Sequence, residues 1–159
     1  MIRTTQRAQS VLYAVLLMPM LLSVFALAID IGGLQLERLR LHYAMDLATV
    51  TGASALDPGY YREHGTLRLN APQAVMVTRD SLLRNIASLP DTPAADQVAA
   101  HAEVAVVNLV PARDPFTGTA LDRPSVCARI RVAHHFPLLA LVGVRDWTIT
   151  ITSEAQIRQ

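Results

Sequence analysis

Five histidines, one cysteine and thirteen carboxylates are the side chains of this sequence that could do chemistry, and their spacing decides whether they can act together. His134 and His135 are adjacent in a segment of period two, so on a strand they leave by opposite faces and cannot jointly hold a metal ion. His42, His64 and His101 have no cysteine or histidine at the spacing a tetrahedral site needs. No phosphate loop, dinucleotide fingerprint, G-x-S-x-G elbow or H-E-x-x-H helix occurs. Asp46, Asp80, Glu103 and Glu154 read as solvated or capping charges. Cys127 has no partner for an intramolecular disulfide; it can pair with another chain, and the reading favoured is a small buried strand residue. No catalytic residue, metal ligand or cofactor is expected, and the chain does not read as an enzyme.

Those residues hang on one element. Val11 to Ile29 (VLYAVLLMPMLLSVFALAI) carries no charge over nineteen residues. As a helix it spans about 29 Å, close to the roughly 30 Å hydrocarbon core of a bilayer. Pro19 removes one backbone hydrogen bond and should kink it, with Ser23 placed to bond a freed carbonyl. Arg3 and Arg7 precede the run, while Asp30 and Glu37 are the first charges after it. The positive-inside rule therefore puts residues 1–10 in the cytoplasm, a transmembrane helix at 11–29, and residues 30–159 outside as one exported domain. Ala26-x-Ala28 also offers a signal-peptidase site before Ile29. The length of the run and the helical pattern crossing that site favour a retained anchor over a cleaved signal.

The exported part amounts to roughly 130 residues, enough for one small domain. Hydrophobic residues make up 52% of the chain and charged ones 17%, which excludes disorder, and a net charge of +1 argues against a nucleic-acid partner.

Past the membrane the helical spacing continues to about Leu56. Leu36, Leu39, Tyr43, Leu47 and Val50 form one apolar stripe, and Leu34, Leu41, Met45 and Ala48 a second. Gly32 and Gly33 mark either a bend or a close helix approach. Asp57-Pro58-Gly59 reads as a turn and YYREHGTLRLN as a loop, with Tyr60 and Tyr61 either contact residues or a cover for the domain. A second helix is expected over Ala71 to Leu89, capped by Asn70 and stopped by Pro90 and Pro93, then a linker over Asp91 to Gln97. Three strands follow, Ala102 to Val110, Ser125 to Phe136 and Trp147 to Ala155, in an antiparallel meander with one wet face. The link Pro137 to Val144 holds Leu138, Leu139, Leu141 and Val142 where a polar turn is expected. It is either a partner or membrane contact or a buried short helix.

RAQSVLYAVLLMPMLLSVFALAIDIGGLQLERLRLHYAMDLATVTGASAL resembles the N-terminal region of TadE/TadG-like proteins of the tight-adherence (Flp) pilus system. The likeness lies in a basic residue before the span (Arg7), a proline inside it (Pro19), an Asp-x-Gly step at its outer end (Asp30, Gly32) and an Ala-rich helix closing in Gly-Ala-Ser-Ala-Leu. VCARIRVAHHFPLLALVGVRDWTITITSEAQIR is similar to the family's closing strands. Where processed relatives carry a peptidase-site glycine and a following glutamate, this chain has Ala8 and Tyr13, which implies no prepilin processing.

The resemblance implies a non-enzymatic, pilin-like component of pilus assembly, in the bacterial inner membrane with a periplasmic domain. Its fold class would be α+β: a transmembrane helix continuing into a long outer helix, a second helix and a small three-stranded antiparallel sheet. Its partners would be the membrane and other pilus proteins or a second copy, with Leu36, Leu39, Tyr43, Leu47 and Val50 as the assembly interface. The competing expectation is a signal-cleaved, secreted small binding domain.

Overall fold

A computed structural model describes residues 3–89 and 95–157. The fold is α+β, with helices α1 (Arg3–Ala53), α2 (Pro58–His64), α3 (Ala71–Ala87) and α4 (Ala95–Ala100), and strands β1 (Glu103–Val107), β2 (Ala112–Arg113), β3 (Ala120–Leu121), β4 (Ser125–His135) and β5 (Asp146–Gln156). The chain divides into two compact units, one holding the residues up to Leu36 with His134–Trp147, the other Glu37–Ala133 with the residues from Thr148 onward.

In the first unit, α1 runs without interruption through Pro19. Proline takes away the N–H that would bond the carbonyl of Val15, four residues back. Ser23 Oγ donates instead to the carbonyl of Pro19 itself, at 2.8 Å, so it reinforces the next turn and does not fill the vacancy. Opposite the helix residues in sequence, the link between β4 and β5 forms a one-turn 3-10 helix, Leu139–Val142, closed by Gly143 at φ +95°, a left-handed conformation that glycine adopts without strain. Phe136 N donates to Arg145 O at 3.0 Å and ties the base of this link.

The second unit holds the core. From α1 it buries Leu41, Ala44, Met45 and Ala48, whose steps of three and four keep one face turned inward. Helix α3 begins where Asn70 accepts a bond from Gln73 N at 3.3 Å and Pro72 occupies the first turn, and it buries Ala74, Thr78, Leu82 and Ile86. The prolines expected to stop it, Pro90 and Pro93, lie outside the described residues. Burying a leucine or isoleucine stabilises by about 1.5 to 3 kcal/mol, so these side chains and the facing sheet hold the unit together.

The sheet runs β1-β4-β5, sequence neighbours side by side apart from the β2-β3 hairpin inserted after β1. In the antiparallel β1-β4 pair, Glu103 lies across from Arg129 and Val107 across from Ser125. Val126, Ala128, Ile130 and Val132 alternate into the core with Ile149, Ile151 and Ala155 of β5, as period two requires.

Four elements depart from the sequence expectation. Asp57-Pro58, read as a turn, starts α2: Asp57 Oδ1 accepts from Tyr60 N at 3.0 Å, and proline in the first turn loses no hydrogen bond there. Residues 95–97, read as linker, open α4. The first strand ends at Val107, because Asn108 spends its side chain on Leu69, accepting from its N–H at 2.9 Å and donating to its C=O at 3.0 Å. The loop to β4 contains β2 and β3, wound around buried Asp114, which accepts from Phe116 N, Thr117 N and Thr117 Oγ1.

Candidate assembly surface

Between residues 15 and 29 the apolar side chains of α1 stand exposed, among them Leu16, Met18, Met20, Leu22, Phe25 and Ile29. In water that surface is costly. It is a helix long and apolar enough to cross a membrane.

Farther along α1, the two apolar stripes part ways. Leu41, Met45 and Ala48 of one are sealed in the core and Leu34 is half-buried. Leu36 and Leu47 are exposed, and Leu39, Tyr43 and Val50 are 69%, 65% and 61% exposed. At 100° per residue the two sets lie about 170° apart, on opposite sides of the helix, so whatever seals one cannot reach the other.

A polar chain crosses from α1 to β5 at the edge of the buried stripe. Ser153 Oγ donates to Asp46 Oδ1 at 2.6 Å, lies 2.9 Å from Thr49 Oγ1, and Asp46 Oδ2 meets His42 Nδ1 at 3.0 Å. Serine, carboxylate and histidine here are not in catalytic order. The carboxylate stands between the other two, and a nucleophile needs the histidine next to the hydroxyl. The chain fastens helix to strand. Beyond it, Gly52 lets α1 approach α3 so closely that a Cβ there would fall 1.9 Å from Thr78 Oγ1. At Gly32 and Gly33 a Cβ would meet nothing within 4 Å.

The apolar link is divided in itself. Leu138 and Leu139 are half-buried and Leu141 is 85% exposed; the side chain of Val142 lies outside the described residues. The turn is clasped by Asp30, only 1% exposed, whose carboxylate accepts from Leu138 N at 3.1 Å and Leu139 N at 2.5 Å. Trp147, aligned in sequence with the inward residues of its strand, is exposed.

Among the described residues, no three of the His, Cys, Asp and Glu side chains group as metal ligands would. His135 pairs with Asp146, and His134 meets Phe136 edge-on at 4.9 Å between ring centres. Cys127 is fully buried, and burial together with the carboxylates of Asp114 and Glu154 pushes its thiol up to about 12. On the surface of β1, Glu103 accepts from Arg129 Nη2 at 2.5 Å, and that bond, with the charges of Arg129 and Arg131, holds its carboxyl below the usual glutamate value. Tyr60 is half-buried, stacked on His64 at 4.1 Å and capped by the Arg68 guanidinium at 5.0 Å. With exposed Tyr61 it borders an open groove of about 840 Å³ whose far wall includes Asn108, Leu109 and Arg123.

Sequence reasoning named the stripe and the apolar link but missed the clasp made by Asp30, the close approach at Gly52 and the Asp46-Ser153-Thr49 chain, in which Asp46, read as a solvated or capping charge, accepts from Ser153 across to β5. Asp30 carried one usable signal, a charge placed directly against a membrane-length apolar run inside a continuing helix pattern. Ser153 carried none.

Residues 7–55 match the model of the TadE/G-like Flp pilus-assembly family. The match covers under half of the chain and coincides almost residue for residue with α1. No curated protein and no solved structure matches the chain.

Proposed function

We propose that the chain is a non-enzymatic inner-membrane component of a Tad/Flp-type pilus assembly system, a pilin-like subunit that associates with other subunits through its long N-terminal helix. The observation that carries this reading is the coincidence of the family match at residues 7–55 with α1, the element whose apolar surface the chain itself leaves open.

Residues 1–10 stand in the cytoplasm, 11–29 cross the bilayer, and 30–159 form the exported domain, an orientation supported by Arg3 and Arg7 on one side and Asp30 and Glu37 on the other. In lipid the apolar helix is at no disadvantage, since its backbone groups are paired internally and acyl chains are as apolar as leucine. Leu36, Leu39, Tyr43, Leu47 and Val50 continue beyond it as the assembly interface, where each leucine covered by a partner helix contributes about 1.5 to 3 kcal/mol.

Single cysteines at Leu39 and Tyr43 test the reading in intact cells, because the native thiol is buried and unreactive. Crosslinks to a second copy or to another pilus protein are expected, and Leu39→Asp with Val50→Asp should abolish them while membrane retention and thermal unfolding stay unchanged. Unfolding by those changes would make the stripe core, and undiminished crosslinking would reduce the helix to a stalk. An intact mass beginning at Ile29 would replace the anchor with a cleaved signal and the subunit with a secreted binding domain.

A further inference from the structure

Asp30 follows the last residue of the apolar run by one position, and its carboxylate is spent on two backbone N–H groups of the link between β4 and β5. Those bonds fix where the link stands. With 11–29 in hydrocarbon, as proposed above, residue 30 lies about 1.5 Å beyond the hydrocarbon edge, and a turn joined to it by one short side chain and a hydrogen bond lies within roughly 7 Å of that edge, about the depth of the headgroup layer. The link so fastened carries Leu141, 85% exposed, and the exposed Val144 and Arg145, and the start of β5 adds the exposed Trp147. Exposed leucine and valine side chains on a turn fastened next to the end of the span would add to the apolar surface that lipid covers. Tryptophan is the residue favoured where one end is apolar and the other wet, and arginine matches the geometry of a phosphate.

We propose that Leu141, Val144 and Trp147 dip into the outer headgroup layer of the same bilayer that α1 crosses, Asp30 being the clasp that holds them at that level. The first unit then touches the membrane twice, through the span and through this apolar turn. The proposal rests on insertion of the span.

Trp147 is the sole tryptophan, so tryptophan fluorescence reports the start of β5 beside the turn and no other place in the chain. The full chain is reconstituted into phosphatidylcholine vesicles with and without bromine on the acyl chain near the headgroup. The expected result is a blue-shifted emission quenched by the brominated lipid, and loss of both the shift and the quenching in Leu141→Asp, which still pellets with the vesicles after carbonate extraction. Because Leu141 is exposed, that change does not disturb the core. Emission like that of tryptophan in water, unquenched by bromine in a chain that pellets, overturns the proposal and leaves the anchor standing. Quenching that Leu141→Asp leaves intact also overturns it. Shielding from aqueous iodide without bromine quenching assigns the face to a second copy and overturns it equally. Release of the chain by carbonate would instead sink the anchor itself, and the proposal with it.

Discussion

Adding one methyl group at Gly52 tests how α1 is held in the core. A Cβ there would lie 1.9 Å from Thr78 Oγ1, 3.3 Å from Thr78 Cβ and 3.2 Å from the carbonyl oxygen of Ala74. The first distance is impossible, so Thr78 must rotate or the helices must separate. Rotation sacrifices the Thr78 Oγ1 bond to Ala74 O, 2.7 Å long and buried, at a cost of about 0.5 to 1.5 kcal/mol. Separation loosens the surrounding packing, and overpacking of this kind costs about 1 to 3 kcal/mol. Against either stands the helix-propensity gain of alanine over glycine, about 1 kcal/mol. Turning Thr78 still leaves the Ala74 carbonyl 3.2 Å away, so both costs enter, and their sum less that gain is a destabilisation of about 0.5 to 3.5 kcal/mol for Gly52→Ala, a fall of roughly 1 to 14 °C in melting temperature for a chain of this size. Gly32→Ala and Gly33→Ala meet nothing within 4 Å and should not lower the midpoint. The assay is thermal unfolding of the full chain in detergent, followed by circular dichroism. Adding Thr78→Ala to Gly52→Ala removes the nearest atom, and the pair should be more stable than the two separate losses predict, with a coupling of about 0.5 to 3 kcal/mol. If Gly52→Ala melts at or above the parent chain, the close approach of α1 to α3 is wrong.

Ser153→Ala removes the donor to Asp46 and should cost about 1 kcal/mol in denaturant unfolding, whereas Thr150→Ala, at an exposed position of the same strand, should stay within about 0.5 kcal/mol. Because Glu103 is held below its usual value in the folded state, its contribution is present above the unfolded value of about 4.3 and is lost as pH falls through the lower folded value. Glu103→Gln should therefore flatten the fall in melting temperature below about pH 4, and an unaltered acid profile would refute the Arg129 pairing. Cys127 should resist maleimide at pH 8 in the native chain and react at once in denaturant; equal rates in both states would show the thiol to be accessible.

What was legible in the sequence was what repeats. The apolar run, the three-and-four spacing through α1, Asn70 and Pro72 at the start of α3, and the alternation in β4 and β5 are local patterns, and each appears where its period places it. Asp57-Pro58 was ambiguous for a physical reason: an aspartate that stops one helix by turning the chain can cap the next, with proline suited to either role. Asp30 and Ser153 were illegible because their partners are far off in sequence, Leu138 and Leu139 for one and Asp46 and Thr49 for the other. No period brings such pairs together.

Which stripe of α1 faces inward was, by contrast, written in side-chain size. Periodicity alone cannot choose between two apolar stripes on one helix, since both would gain by burial. The buried side reads Leu41, Ala44, Met45, Ala48 and Gly52, and its small members, above all Gly52, allow the backbone of α3 to come close. The other reads Leu36, Leu39, Tyr43, Leu47 and Val50, with no residue smaller than valine, and a neighbour on that side must be held off by the full length of leucine and tyrosine. A domain of this size has one compact core to offer, and α3 takes the side it can approach most nearly, because close packing gains dispersion contacts that a stand-off interface forfeits. The bulky stripe stays exposed, and in the assembly proposed above its large projecting side chains are suited to interdigitate with a helix of another subunit.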